Sequence, residues 1–160
     1  MPTSQFLQNH SRFFENLLEH RFLYDLGREL VLREPPQLLG ILKAEVDMEG
    51  IDLTLTCGGM IRNIQMKTRS KAPAPTSYNI SDAVWKATDA CILWMIYDPN
   101  TLEPIDYYLL GCPLPSLSGF RISPKRVGYR KLWTRNANHK KCSIQQIAEV
   151  LFPETPQPLQ

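Results

Sequence analysis

The sequence predicts a mixed α/β domain in which a central sheet is flanked by helices, and three observations lead there. A long helical repeat near the start is stopped by Pro35-Pro36. Residues 51 to 57 and 60 to 67 alternate apolar and polar around Gly58-Gly59. Helical and strand-like stretches then interleave in the order α-β-β-β-α-β-β-α, the signature of a sheet lying between helices.

The first helix is predicted from Asn9 or Ser11 to about Arg33, because proline cannot continue the backbone ladder. At about 100° per residue, Leu18, Phe22, Leu23, Leu26 and Leu30 share one broad arc, while Phe13, Phe14, Leu17 and Tyr24 lie elsewhere around the cylinder. Glu19 projects between Leu26 and Leu30 on that arc, and Glu15 between Phe22 and Leu26. A carboxylate on an apolar face needs a cation, a proton or a metal ion.

A first strand fits Ile41 to Val46, and the hairpin of residues 51 to 67 follows. Gly58-Gly59 makes a two-residue turn that needs positive φ. "NISDAVWKATDA" (79 to 90) reads as a short helix started by Ser81 or Asp82. "ACILWMIYD" and "PIDYYLLGC" read as strands around a "PNTLEP" turn, and "CSIQQIAEVLF" as a closing helix in which Ser143 and Gln146 match a capping box.

At 160 residues, 43% hydrophobic and 21% charged, the chain suits one ordinary soluble domain, placed at 1-152, with a Pro-rich tail at 153-160 expected to be disordered. No apolar run approaches the roughly 18 residues of a membrane span. No basic stretch precedes an apolar one at the start, so the expectation is no signal peptide and a cytoplasmic protein. Cys57, Cys91, Cys112 and Cys142 form no C-x-x-C pair and read as free thiols. His10, His20 and His139 are too scattered for a histidine metal site, and no G-x-S-x-G marks a hydrolase nucleophile.

Net charge is only +2, yet residues 107 to 148 carry 8 Lys/Arg and no Asp/Glu. Within that block Lys125, Arg126, Arg130, Lys131, Arg135, Lys140 and Lys141 are interleaved with Tyr129, Trp133 and His139. Such a segment can neutralise phosphates and offer rings for stacking, or be a solvated surface.

The hairpin sets a register. With Cys57 opposite Met60, Thr54 faces Asn63 and Asp52 faces Gln65, while Lys67 lies two residues further along the same face. Ile51, Leu53, Leu55, Met60, Ile64 and Met66 then share the buried side, with Arg62 the exception. A bulge would shift this register by one. Taken alone, Asp52 and Lys67 also suit an exposed ion pair worth under about 1 kcal/mol. With Glu19 from the helix, the same residues suit Mg²⁺, which takes one or two carboxylates and leaves positions for water and phosphate.

Asp52, a hairpin, then Gln65-x-Lys67, preceded by a helix carrying Glu19, resembles the PD-(D/E)XK nuclease superfamily in the variant with glutamine in the last motif. The likeness covers roughly residues 11 to 97. "LEHRF", "EVDMEGIDLTL" and "IRNIQMK" also resemble a group of small bacterial proteins of unestablished role. The resemblance implies a restriction-endonuclease-like α-β-β-β-α-β core and Mg²⁺- or Mn²⁺-dependent DNA cleavage in defence, mobile-element biology or repair. It implies that Asp52 binds the metal, Gln65 binds or positions it, Lys67 acts on the attacking water and Glu19 assists. Arg69 and Lys71 would sit beside a bound phosphate. The sequence departs from the pattern in having Gly50-Ile51 before Asp52, with Asp47 a rival ligand, and in losing one negative charge at Gln65. A nuclease fold without catalysis, docking nucleic acid or a protein partner, is the competing expectation. Duplex cleavage needs two sites, which makes a homodimer attractive, although no stretch of the sequence demonstrates one.

Overall fold

The structure is a computed structural model. It describes residues 4–42, 50–70, 77–87, 89–111, 114, 121–122, 127–133 and 140–154, with backbone alone for Ser4, Leu7, Gln8, Arg121, Ile122, Leu132, Trp133 and Lys140. Lys71, Lys125, Arg126, Arg135 and Asp47 lie outside the described residues, as does the tail from residue 155.

Helix α1 (Ser4–Asn9), not foreseen, gives way at His10 to α2 (Ser11–Val31). The junction is filled by the Phe6 ring, 4.6 Å from that of His10 and 6.0 Å from that of Phe14. Helix α2 buries Phe14, Leu18, Phe22, Leu26 and Leu30, one residue per turn, together with Glu19. It stops at Val31, four residues before Pro35, and the last turn is closed by the amide of Leu32 on the Arg28 carbonyl and the amide of Arg33 on the Leu30 carbonyl.

Six strands form the main sheet in the order β1 (Gly40–Leu42), β2 (Leu53–Cys57), β3 (Met60–Ser70), β5 (Ala90–Tyr97), β6 (Pro104–Gly111), β9 (Lys140–Cys142). Every neighbouring pair is antiparallel except β3 and β5, which run parallel from Asn63↔Ala90 to Ser70↔Tyr97. A parallel pair needs a crossover, here β4 (Ser77–Ser81) and α3 (Asp82–Lys86). The fold is mixed α/β, and with α1 and the unforeseen strand β4 set aside, α2, β1, β2, β3, α3 and β5 follow the α-β-β-β-α-β order expected.

The crossover differs from its prediction. Among its described residues only Asp82–Lys86 is helical, capped by the Ser81 hydroxyl, which accepts from the Ala83 amide at 3.1 Å. Residues 77 to 81 are a strand in a second, three-stranded sheet ordered β4, β8 (Tyr129–Trp133), β7 (Arg121–Ile122). Ile80 and Tyr78 from this small sheet pack with Val84 and Trp85 of α3 onto Ile92, Trp94 and Leu110 of the main sheet. The other face of the main sheet is covered by α2 and α4 (Ile144–Leu151), whose side chains meet Leu53, Leu55, Ile64, Met66, Leu93 and Met95.

The Ser143–Gln146 capping box opens α4 as predicted. Two arginines close it. Arg62 donates to the Leu151 carbonyl at 2.8 Å, and Arg33 donates to the Phe152 carbonyl and reaches Glu149 at 2.9 Å. Arg62 thus sits on a buried face because it satisfies a helix terminus that would otherwise lack donors.

Candidate functional site

The hairpin closes in the predicted register from Cys57↔Met60 through Thr54↔Asn63 to Leu53↔Ile64, over a turn in which Gly58 and Gly59 have φ of 55° and 79°. At Asp52 the ladder slips. The Asp52 amide donates at 2.9 Å to the carbonyl of Ile64, the residue already opposite Leu53. Ile51 packs in the second core and Leu53 in the first, although strict alternation would put them on one face. Two residues opposite one, with a change of face, describe a bulge. The expectation that Ile51 shares the Leu53 face is corrected accordingly.

The bulge is built on Gly50, at φ 91°. The positive φ calls for glycine, and a Cβ there would stand 2.8 Å from Gln65 Nε2 and 3.1 Å from Ser81 Cβ, so a side chain would also have to displace the Gln65 amide. The slip also reassigns the Asp52 carboxylate. Instead of lying across the strand from Gln65, it folds onto the backbone of β3, where Oδ2 accepts from the Met66 amide at 2.6 Å. That nitrogen is bonded to the Gln65 carbonyl carbon, so the carboxylate is held at the main chain next to Gln65 and not across the strand from its side chain. A short charge-assisted bond to a backbone donor fixes the carboxylate in place.

Gln65 and Lys67 share a face because they pair with Ile92 and Trp94 in the parallel ladder, both members of the second core. Gln65 is 3% exposed, and among the described residues its Oε1 has no hydrogen-bond partner. Lys67 is half-buried, and among the described residues it enters no ion pair, so the exposed Asp52–Lys67 pair is not formed. Arg69, two residues on, follows the same alternation. Glu19 is buried as its apolar arc implied, at 9% exposure, but α2 covers the opposite face of the sheet from Gln65 and Lys67. Among the described residues no three His, Cys, Asp or Glu side chains are grouped to hold a metal.

The basic residues divide. Arg130 stands opposite Ile80 on the inner side of the small sheet, and its Nε lies 3.2 Å from Asp82 Oδ1, tying β8 to the first turn of α3. Lys131 takes the alternate positions, level with Asn79 and Arg121. Lys141 is 2.6 Å from Asp106 across the β6–β9 edge. Arg130 and Lys141 therefore already hold protein carboxylates.

A cleft of about 460 Å³ that the sequence reading missed lies between α2, β6 and α4, lined by Arg21, Asp25, Asp106, Tyr107, Lys141 and Ser143 among others. Its polar groups satisfy one another. Tyr107 donates to Asp25 at 3.4 Å, and Arg21 holds Asp25 at 3.0 Å and Glu103 at 2.6 Å. Burial first, then the Asp25 carboxylate, pushes the Tyr107 phenol above its ordinary range. The i, i+4 spacing of Arg21 and Asp25 is the one sequence signal of this network.

Among the described residues no helix is long and apolar enough to cross a membrane. The sequence matches no protein-family model and no curated protein.

Proposed function

We propose that this chain is a metal-dependent nuclease that hydrolyses DNA phosphodiester bonds on a restriction-endonuclease-like plan, acting in defence, mobile-element biology or repair. The observation that carries the reading is the buried Gln65 Oε1, which has no donor among the described residues. A buried acceptor left without a partner costs roughly 1–3 kcal/mol, and such a group calls for an explanation such as an ion or a functional role. A cation beside the Asp52 carboxylate relieves it. One carboxylate and one neutral oxygen, with remaining positions left to water and phosphate, suit Mg²⁺ or Mn²⁺. The α-β-β-β-α-β order of α2, β1, β2, β3, α3 and β5, interrupted by β4 in the crossover, supports the same reading with its parallel β3–β5 pair.

In that site Asp52 would bind the cation while its Oδ2 stays on the Met66 amide, and Gln65 would add its amide oxygen. The cation, when bound, supplies polarisation of the phosphodiester and a more acidic water. Lys67, on the Gln65 face, would orient the attacking water and offset charge developing on phosphorus. Arg69, next on that face, and Lys131, on the small sheet, would hold the phosphate backbone.

A nuclease fold that binds nucleic acid without cutting it is the second reading. It is favoured by the position of Glu19 across the sheet, which takes the helical carboxylate away from the Gln65 side.

Calorimetric titration of Mg²⁺ and Mn²⁺, paired with cleavage of plasmid DNA, tests the first reading. Asp52→Ala should lose both metal binding and cleavage; Lys67→Ala should keep the metal and lose cleavage. Undiminished cleavage in both variants would overturn the assignment, and wild-type protein that binds DNA without cutting it under either metal would establish the second reading.

A further inference from the structure

Helix α2 has a second apolar stripe on the side away from the core. Phe13, Leu17, His20, Tyr24, Gly27 and Val31 recur at alternating steps of four and three, the spacing of a helix-pairing seam. The core residues of α2 occupy the opposite side of the cylinder. Phe13 and Tyr24 are 64% and 65% exposed, Leu17 and Val31 somewhat less, and no Asp or Glu interrupts the stripe. Apolar side chains in line along a helix, facing water on a folded domain, mark an interaction surface rather than a scatter of single exposures.

We infer that this stripe is an isologous dimer interface whose occupant is α2 of a second copy of the chain, running antiparallel. Self-complementarity supports that occupant. With a two-fold axis at the level of residue 22, Leu17 falls opposite Gly27 of the second copy, His20 opposite Tyr24, and Phe13 opposite Val31. Every large residue then meets a smaller one or a ring. Gly27 supplies a notch: a Cβ there would find only Leu39 Cδ2, at 3.8 Å, within contact distance. A γ-branched side chain arriving from outside can enter that notch.

The area is of the right order. The stripe is about 27 Å long at 1.5 Å per residue. Its four large apolar side chains present on the order of 400 Å², about half of the ~800 Å² each partner gives to a standard interface. Asn16 and Arg28, which flank the stripe and face each other across the same axis, add to it. The pairing leaves the Gln65 and Lys67 face of the sheet open, since α2 covers the other face. It is independent of whether that face cuts DNA.

Sedimentation equilibrium of the full chain tests this. The wild type should be a dimer with Kd in the micromolar range or tighter. Leu17→Glu should sediment as a monomer. Gly27→Leu fills the notch with a better helix former, so the monomer should keep or gain stability in urea unfolding while Kd rises by about tenfold or more. A wild type that stays monomeric at high micromolar concentration would overturn the inference, as would dimers that persist unchanged in both variants.

Discussion

Replacing Gln65 by methionine should stabilise the metal-free protein. Methionine has nearly the length of glutamine and adapts to irregular space. In the wild type Oε1 is buried without a donor among the described residues, at a cost of roughly 1–3 kcal/mol. The substitution also removes Nε2, which stands against Gly50, and any bond it makes is worth about 0.5–1.5 kcal/mol net. The difference favours the variant by about 1 kcal/mol, or roughly 2–4 °C in Tm for a chain of this size. Urea unfolding in excess chelator measures it, with an unchanged m-value as the sign that only stability moved. Metal binding should fall at the same time, so that the variant gains stability where it loses function. Loss of 1 kcal/mol or more in chelator would mean that Oε1 is already satisfied, and the proposed site would lose its main support. Gln65→Glu runs the other way. Its buried carboxyl has a raised pKa in the folded state, so stability is greatest below the unfolded value of about 4.3 and declines as pH rises. Added Mg²⁺ at 100 times its Kd should then restore about 2.7 kcal/mol.

Two further outcomes follow from parts of the molecule outside the site. Ser143→Ala removes the hydroxyl that accepts from the Gln146 amide and should cost about 1 kcal/mol in denaturant unfolding while leaving metal affinity unchanged. Tyr107, whose pKa is raised by burial and by Asp25, stays protonated in the folded state at pH values where the unfolded chain has ionised. Its contribution is therefore complete below about pH 10 and fades above it, and Tyr107→Phe should flatten the alkaline fall in stability measured by urea titration across that range.

The hairpin was legible because its turn is chemically unambiguous: two glycines between alternating strands fix the register for five residue pairs. The capping box was legible for the same reason, being a local rule with its partners three residues apart. Both failures at Asp52 and in the crossover have non-local causes. The bulge depends on Gly50 lying against Gln65 and Ser81, which are distant in sequence, and its one local trace is a glycine just before a strand. The segment around Ile80 has a helix start at Ser81, so it reads as helix throughout, yet its first half finds a partner strand some fifty residues away. Strand β8 carried no periodic signal of its own. Its five residues place Tyr129, Lys131 and Trp133 on one face and Arg130 and Leu132 on the other, each set mixing a basic with apolar residues, so no apolar alternation marked the strand and only its pairing with β4 reveals it. As a consequence Arg130 counted as a phosphate contact when its place in the alternation turns it inward to Asp82.

The arginine clasps on α4 bear on the speed of folding. Arg33 and Arg62 reach carbonyls 119 and 89 residues further along the chain. Helix α2 and helix α4 complete one core from opposite ends of the described sequence, so that core closes only after a long loop has been drawn in. Contacts of such separation are formed late, because their entropy of closure precedes any reward. The hairpin and its glycine turn can form early and alone, but the face that α2 and α4 cover stays open to water until the final docking step, and the helices should exchange their amides as one cooperative unit despite their distance in sequence.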